Sequence, residues 1–181
     1  MTKSTHNTGG LLFSLIPIKL LVKYYIVIYS FPYIALLLAI YLYFAVLGAS
    51  FPDIDLKSSY ISKRYPLVWK FFGKKYKHRS FTHSFLALFL LGAFLLFLIF
   101  VSLFNEIIIA ASLGLFLGYI SHIFLDLFNP QGVELFYPFS FNVKIFNIKT
   151  KSYKERIFNN LIKLLILFAV ITLIMQKKWL L

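Results

Sequence analysis

The chain contains no cysteine. Disulfides, thiolate metal ligands and a cysteine nucleophile are therefore excluded, and any metal must be held by nitrogen and oxygen. Acidic residues are scarce too: six Asp and Glu stand against 19 Lys and Arg, a formal net charge of +13 in 181 residues. Charged residues make up only 14% of the chain and hydrophobic residues 60%, whereas soluble domains run at about 25% and about 45–50%. So little charge points to a lipid solvent. The apolar run from Leu11 is interrupted by Lys19 and Lys23 and is followed by no small-residue cleavage site, so a cleaved signal peptide is not expected. No repeat or low-complexity linker divides the sequence, and a single membrane-embedded domain over 1–181 is expected.

What is abundant is long apolar sequence. Uncharged runs such as Phe85 to Phe104 and Ile107 to Ser121 are too long for core helices of a soluble domain of this size. Membrane helices are predicted at about 33–50, 84–104, 107–127 and 158–176. Residues 10–29 form a weaker fifth segment that either spans, with Lys19 and Lys23 snorkelling, or lies in the interface. The expected fold class is all-α: a multi-pass membrane helical bundle of four to five transmembrane helices with its metal-site motifs at one membrane face.

The positive charge is concentrated. Eight of the Lys and Arg lie between Lys57 and Arg79 and five between Lys144 and Arg156, where the positive-inside rule places inter-helix segments of a cell-membrane protein on the cytoplasmic face. Topology thus accounts for the charge, and nucleic acid is not indicated as a partner. Between Leu56 and Lys77 the lysines alternate with Tyr60, Tyr65, Trp69, Phe71, Phe72 and Tyr76, a composition suited to the headgroup layer of an anionic bilayer. By the same count of crossings, Lys177 and Lys178 fall on the opposite face.

All four histidines and all the aspartates then fall at one end of these segments. His6 precedes the first segment, Asp53 and Asp55 follow the second, and His78 and His83 precede the third. On the fourth, His122 lies sixteen residues from Glu106, about 24 Å at about 1.5 Å per residue. Asp126, one turn further, shares its helical face. Seven potential ligands, His6, Asp53, Asp55, His78, His83, His122 and Asp126, therefore converge on one side.

Each piece also has a plainer reading. His-x-x-x-Asp is an ordinary helix-surface pair. The P-D-I-D carboxylates beside a helix ended by Pro52 could be paired with Lys57, Lys63 or Arg64. His83, placed in a first turn capped by Ser80, could be a capping histidine. Jointly they favour a divalent metal: zinc first, manganese or iron as alternatives, with two or three ions in a cluster of this size.

These same residues carry a resemblance. His6 with Gly10, F-P-D-I-D at 51–55 with Ser59 and Ile61, H-R-S-F-T-H-S at 78–84 and S-H-I-F-L-D-L-F-N-P-Q-G-V-E-L-F-Y-P-F-S at 121–140 look like the YdjM-type family of membrane-bound metal-dependent hydrolases. Leu56, Lys57 and Ser62 depart from the His, Pro and Gly expected of many members. That family is distantly similar to zinc-dependent phospholipase C and single-strand nucleases. The resemblance implies ligand roles for His6, Asp53, His78, His122 and Asp126, with Asp55 and His83 as further ligands or their supports.

The chemistry expected is metal-assisted hydrolysis, with Asp55, or next to it Asp53, orienting or deprotonating water. Arg79 and the lysines of 57–77 would draw in an anionic substrate, such as a phosphodiester in a lipid headgroup. Two alternatives stay open: a secondary transporter or proton relay using the same residues, and a non-catalytic protein whose metal braces helix ends. Glu134 is assigned no catalytic role.

Overall fold

The computed structural model describes residues 1–175 as helices joined by turns, with an isolated antiparallel bridge between Val133 and Val143. Helix α1 (Lys3–Leu15) starts at Thr2, whose hydroxyl accepts the Thr5 N–H. Pro17 supplies no N–H and interrupts the helix, so α2 (Ile18–Ile28) leaves at 55° to α1. After Ser30 the chain returns as α3 (Phe31–Gly48). A 3-10 turn (Phe51–Asp55), the Ser59-capped α4 (Tyr60–Arg64), α5 (Pro66–Val68), a π turn (Trp69–Gly73) and a 3-10 turn (Phe81–His83) build one face. Then come α6 (Phe85–Val101), α7 (Glu106–Asp126) and α8 (Tyr153–Met175).

By length and composition α3, α7 and α8 each suit a membrane crossing, and α1 with α2, bent by 55°, has the form of a broken span or a re-entrant loop. Helix α6 has 17 residues, about 25 Å, a little short of a hydrocarbon core of about 30 Å. The fold is an all-α membrane bundle.

Several boundaries differ from the sequence reading. His6 lies inside α1 rather than ahead of it, because Thr2 caps a helix that starts at Lys3. Residues 10–29 are neither one straight span nor one interfacial helix but two helices hinged at Pro17. Helix α3 ends at Gly48, before Pro52, which opens the following 3-10 turn. Ser84 rather than Ser80 caps α6, its hydroxyl accepting the Ala87 N–H at 3.2 Å, so His83 sits in the preceding turn. Helix α8 starts five residues earlier than expected, since Ser152 accepts the Glu155 N–H at 3.2 Å and recruits a polar first turn. Gln176, Lys177 and Lys178 lie outside the described residues.

The closest packing joins α3 to α7 through small residues. At Gly118 a side-chain carbon would stand 2.7 Å from Ala49 N and nearer still to the Ala45 carbonyl. Only glycine lets the backbones approach so far, the usual device between helices in lipid, where hydrophobic burial offers no drive to associate. Gly10 does the same for α1, where an added carbon would lie 2.7 Å from Ala49 Cβ. These approaches bring residues 6, 49 and 122 together. Helix α8 rests on α1, Ile162 packing in one cluster with Met1 and Leu125, while Leu164, Phe168 and Ile174 stay exposed as lipid contacts would be.

Candidate metal centre

The start of α1, the ends of α3 and α7, and the turns before α4 and α6 meet at one end of the bundle. They bring together all seven residues singled out in the sequence. Two groups of three have ligand atoms within 4.8 Å of one another: His6, His122 and Asp126, which are buried, and Asp53, His78 and His83, of which only His83 is. The groups adjoin. His83 Nε2 lies 3.2 Å from His122 Nε2, Asp53 Oδ1 lies 3.9 Å from His83 Nε2 and 3.6 Å from His122 Nε2, and Asp126 Oδ2 is 3.7 Å from His83 Nε2 and 3.8 Å from His122 Nε2. Two facing imidazole nitrogens and two carboxylates, each placed between both groups, are donors that would hold divalent cations.

The supports are in place. His122 Nδ1 lies 2.7 Å from the Ala49 carbonyl, to which it donates; this tautomer leaves Nε2 a free lone pair, the form a metal needs. The His6 ring stacks on His122 with centroids 3.7 Å apart. His6 Nε2 lies 3.4 Å from Asp126 Oδ1. His6 Nδ1 is buried without a hydrogen-bond partner, which is costly for a group already desolvated and would be relieved by a cation; Asp126 already faces two cationic groups, the Met1 ammonium 2.9 Å from Oδ1 and the Arg79 guanidinium 3.1 Å from Oδ2. An all-nitrogen-and-oxygen set of His and Asp fits zinc, manganese or iron.

Asp55 has a different place. Its carboxylate faces His78 Nδ1 at 2.7 Å, accepts the Arg79 N–H at 3.0 Å and the Thr82 hydroxyl at 2.7 Å, and stands 3.5 Å from His83 Nδ1. Burial alone would raise its pKa, but the hydrogen bonds from His78 and His83 outweigh it and hold the carboxyl well below its ordinary range. For His83, burial pushes the other way, yet Asp55, Asp126 and Asp53 together raise its pKa above the ordinary histidine value. Asp55 thus belongs to neither ligand triplet; it orients His78 and His83 from behind.

Arg79 is held in the left-handed region, φ 67°, strained for a side-chain-bearing residue. The conformation aims its N–H at Asp55 and its carbonyl at the Glu134 N–H, 3.0 Å away. Its guanidinium reaches Asp126 Oδ2 at 3.1 Å and Gln131 Oε1 at 3.0 Å.

A cavity of about 430 Å³ opens onto the cluster, with His6 and Asp53 in its wall. The Asp53 side chain is 26% exposed, against 0% for Asp55. Lys3, Tyr60 and Lys151 line the same space.

Sequence reasoning did not mention Glu155 and gave Glu134 no catalytic role. Glu155, 2% exposed, accepts the Thr2 N–H at 2.5 Å, the Thr5 hydroxyl at 3.0 Å and the Lys151 N–H at 2.5 Å, tying the start of α1 to α8. Glu134 is also buried and lies 3.6 Å from Lys77 Nζ. Their signal was scarcity: in a chain with six acidic residues, each has a position to justify.

The bundle and its one-ended His and Asp cluster define a multi-pass membrane protein with a candidate metal site. Comparison gives the family. The YdjM inner membrane protein family matches residues 1–180, and the chain belongs to it. The inner membrane protein YdjM of Escherichia coli (strain K12) is 39% identical over 94 residues, 52% of this chain and 47% of that protein. YdjM of Shigella flexneri gives the same figures. The uncharacterized protein YvsG of Bacillus subtilis (strain 168) is 32% identical over 111 residues, 61% of this chain and 65% of that protein. The match thus spans about half the length of the YdjM proteins. No solved structure matches the chain.

Proposed function

We propose that this chain is a membrane-bound metal-dependent hydrolase that cleaves a phosphoester or phosphodiester at the cytoplasmic face of the membrane. The observation that carries the reading is the junction of two three-residue ligand groups, 3.2 Å apart at His83 and His122, beside a cavity reaching His6 and Asp53.

Divalent cations at such a site, zinc foremost, would lower the pKa of bound water and neutralise charge on the scissile group. His6, His122 and Asp126 would hold one, and Asp53, His78 and His83 the other. Of the two carboxylates proposed for proton transfer, Asp53 suits the task better, because it faces the cavity while Asp55 spends its oxygens on His78, Arg79 and Thr82. Arg79, beside Asp126, stands where charge on a bound phosphoryl group would be met. The cytoplasmic assignment rests on the lysines and arginines of 57–79 and 144–156, which share this face.

Two features favour an enzyme over a closed structural metal. Asp53 remains partly exposed, and a cavity adjoins the ligands, as an open coordination position requires. A transporter fits less well, since its ionisable residues would lie near mid-membrane.

The test is metal analysis of detergent-purified protein followed by hydrolysis of bis(p-nitrophenyl) phosphate. The expected result is bound zinc or manganese, lost in His122→Ala and Asp53→Ala, with activity that chelation abolishes and metal restores. Folded protein that takes up no divalent metal would overturn the proposal.

A further inference from the structure

The cavity beside the cluster carries an observation that the hydrolase reading does not use. Apart from the cluster's own His6 and Asp53, the charged groups of the lining residues are Lys3, Lys151 and the Met1 ammonium, and the last of these is buried against Asp126 Oδ1 at 2.9 Å. Hydroxyls accompany them, Ser50 and Ser59 among others. Glu155 is not among the lining residues; it is buried and accepts the Thr2 and Lys151 N–H groups and the Thr5 hydroxyl.

Two local arrangements hold the Lys151 backbone and the Lys3 ammonium. Lys151 adopts φ 64°, a left-handed conformation that is unfavourable with a side chain and is held by the 2.5 Å bond from its N–H to Glu155 Oε2. Lys3 places its ammonium 3.1 Å from the centroid of the Tyr60 ring. An aromatic face is what a pocket needs to take up a quaternary ammonium group. Tyr60 is the aromatic residue in this lining, and Lys3 already covers it.

We propose that the cavity selects an anionic, hydroxyl-bearing phosphoester, of the polyol phosphate kind, and rejects phosphoesters that carry a cationic head such as choline. Lys3 and Lys151 are the specificity-determining residues. Lys151 attracts the anion, and Lys3 both attracts it and denies Tyr60 to a competing ammonium. The inference rests on the hydrolase reading, which supplies the cations beside which the phosphoryl group lies.

The experiment is isothermal titration of zinc-loaded protein in detergent with inorganic phosphate, sn-glycerol 3-phosphate and phosphocholine, with zinc content measured on each sample. Native protein is expected to bind glycerol phosphate at least about tenfold more tightly than phosphocholine, a difference of about 1.4 kcal/mol. Lys151→Gly, which removes the charge and relieves the backbone, should weaken glycerol phosphate about tenfold at unchanged zinc content. Lys151→Arg should retain it. Lys3→Gln should weaken glycerol phosphate and strengthen phosphocholine, narrowing the preference from both sides. Repeating the titration in nanodiscs identifies the source: competition by phosphatidylglycerol discs but not by phosphatidylcholine discs assigns a lipid headgroup, and no competition from either assigns a soluble ester. Equal binding of the two esters by zinc-loaded native protein, or unchanged preference in both lysine variants, overturns the inference while leaving the hydrolase reading intact. Absence of zinc from native protein overturns both.

Discussion

Replacing Gly118 by alanine places one methyl group where α3 and α7 are closest. That carbon would lie 2.7 Å from Ala49 N and closer to the Ala45 carbonyl, whereas ordinary contacts start at 3.4 Å. The obstacle is helix backbone, which cannot turn aside, so the helices must part by about 1 Å in a tightly packed interior. The His122 Nδ1 to Ala49 carbonyl bond is 2.7 Å long and lies at the same level. An opening of that size takes it to the limit of hydrogen bonding, about 3.5 Å. Removing the partner behind a ligating histidine lowers metal affinity about 10–100-fold, and overpacking costs about 1–3 kcal/mol of stability. The assay is chelator competition for zinc on purified native and Gly118→Ala protein, with thermal unfolding measured in parallel. Gly92→Ala is the control, because there the new methyl meets the edge of the Phe116 ring at 3.2 Å, a side chain able to move. Native zinc affinity in Gly118→Ala, or an equal loss in Gly92→Ala, would refute the argument that this helix contact sets the site.

Other expectations follow from the same geometry. Glu155→Gln should loosen the start of α1 and weaken the His6 group more than the Asp53 group, seen by mass spectrometry as occupancy falling from two ions toward one; two tightly held ions would count against it. Asp55→Asn leaves His78, His83 and the Arg79 N–H short of an acceptor and should lower stability by about 1–3 kcal/mol, read as an earlier unfolding midpoint. Zinc must displace a proton from His83, whose pKa is raised above 6.5, so affinity should keep increasing as pH rises past that value; calorimetry in buffers of different ionisation enthalpy should show proton release, and a flat profile there would contradict it. In chelated protein the His83 imidazolium should contribute stability that is complete below 6.5 and disappears as pH climbs through its raised value. Asp55 has the opposite sign: its contribution is present above 3.8 and is lost as pH falls through its depressed value. Single cysteines at Ser58 and Asn105, introduced into a chain that has none, should label from opposite sides of the membrane.

The convergence of His6, Asp53, Asp55, His78, His83, His122 and Asp126 was legible because helices cross a bilayer in alternation, so residues at alternate ends of successive apolar runs must share a face. The α7 pair was legible from helical rise alone. What the sequence hid was the backbone between the spans. Whether Ser80 or Ser84 caps α6 is decided by the 3-10 turn at Phe81–His83, which places His83 and Thr82 around Asp55. That turn leaves no periodic signature. Asp53 and Asp55 look equivalent in P-D-I-D, yet a 3-10 turn sends one toward the cavity and buries the other among donors. Arg79 reads as a free cation in sequence, but its left-handed backbone and its contact with Asp126 are tertiary facts. Glu155 and Lys151 were obscured for another reason: they lie in a basic inter-helix segment whose composition is explained by topology, so nothing marked them as partners of Thr2 and of the cavity.

The bond from the Thr2 N–H to Glu155 joins positions separated by 153 residues. In synthesis, the segment that leaves the ribosome early therefore finds its final anchor only when α8 emerges. Until then α1 is held by α3 and α7 alone, through Gly10 against Ala49 and the His6 ring on His122. An interrupted chain, carrying α7 but not α8, would leave the Thr2 N–H and the Thr5 hydroxyl without their Glu155 acceptor. That is a chemical difference by which a membrane protease or insertase could tell an unfinished molecule from a finished one.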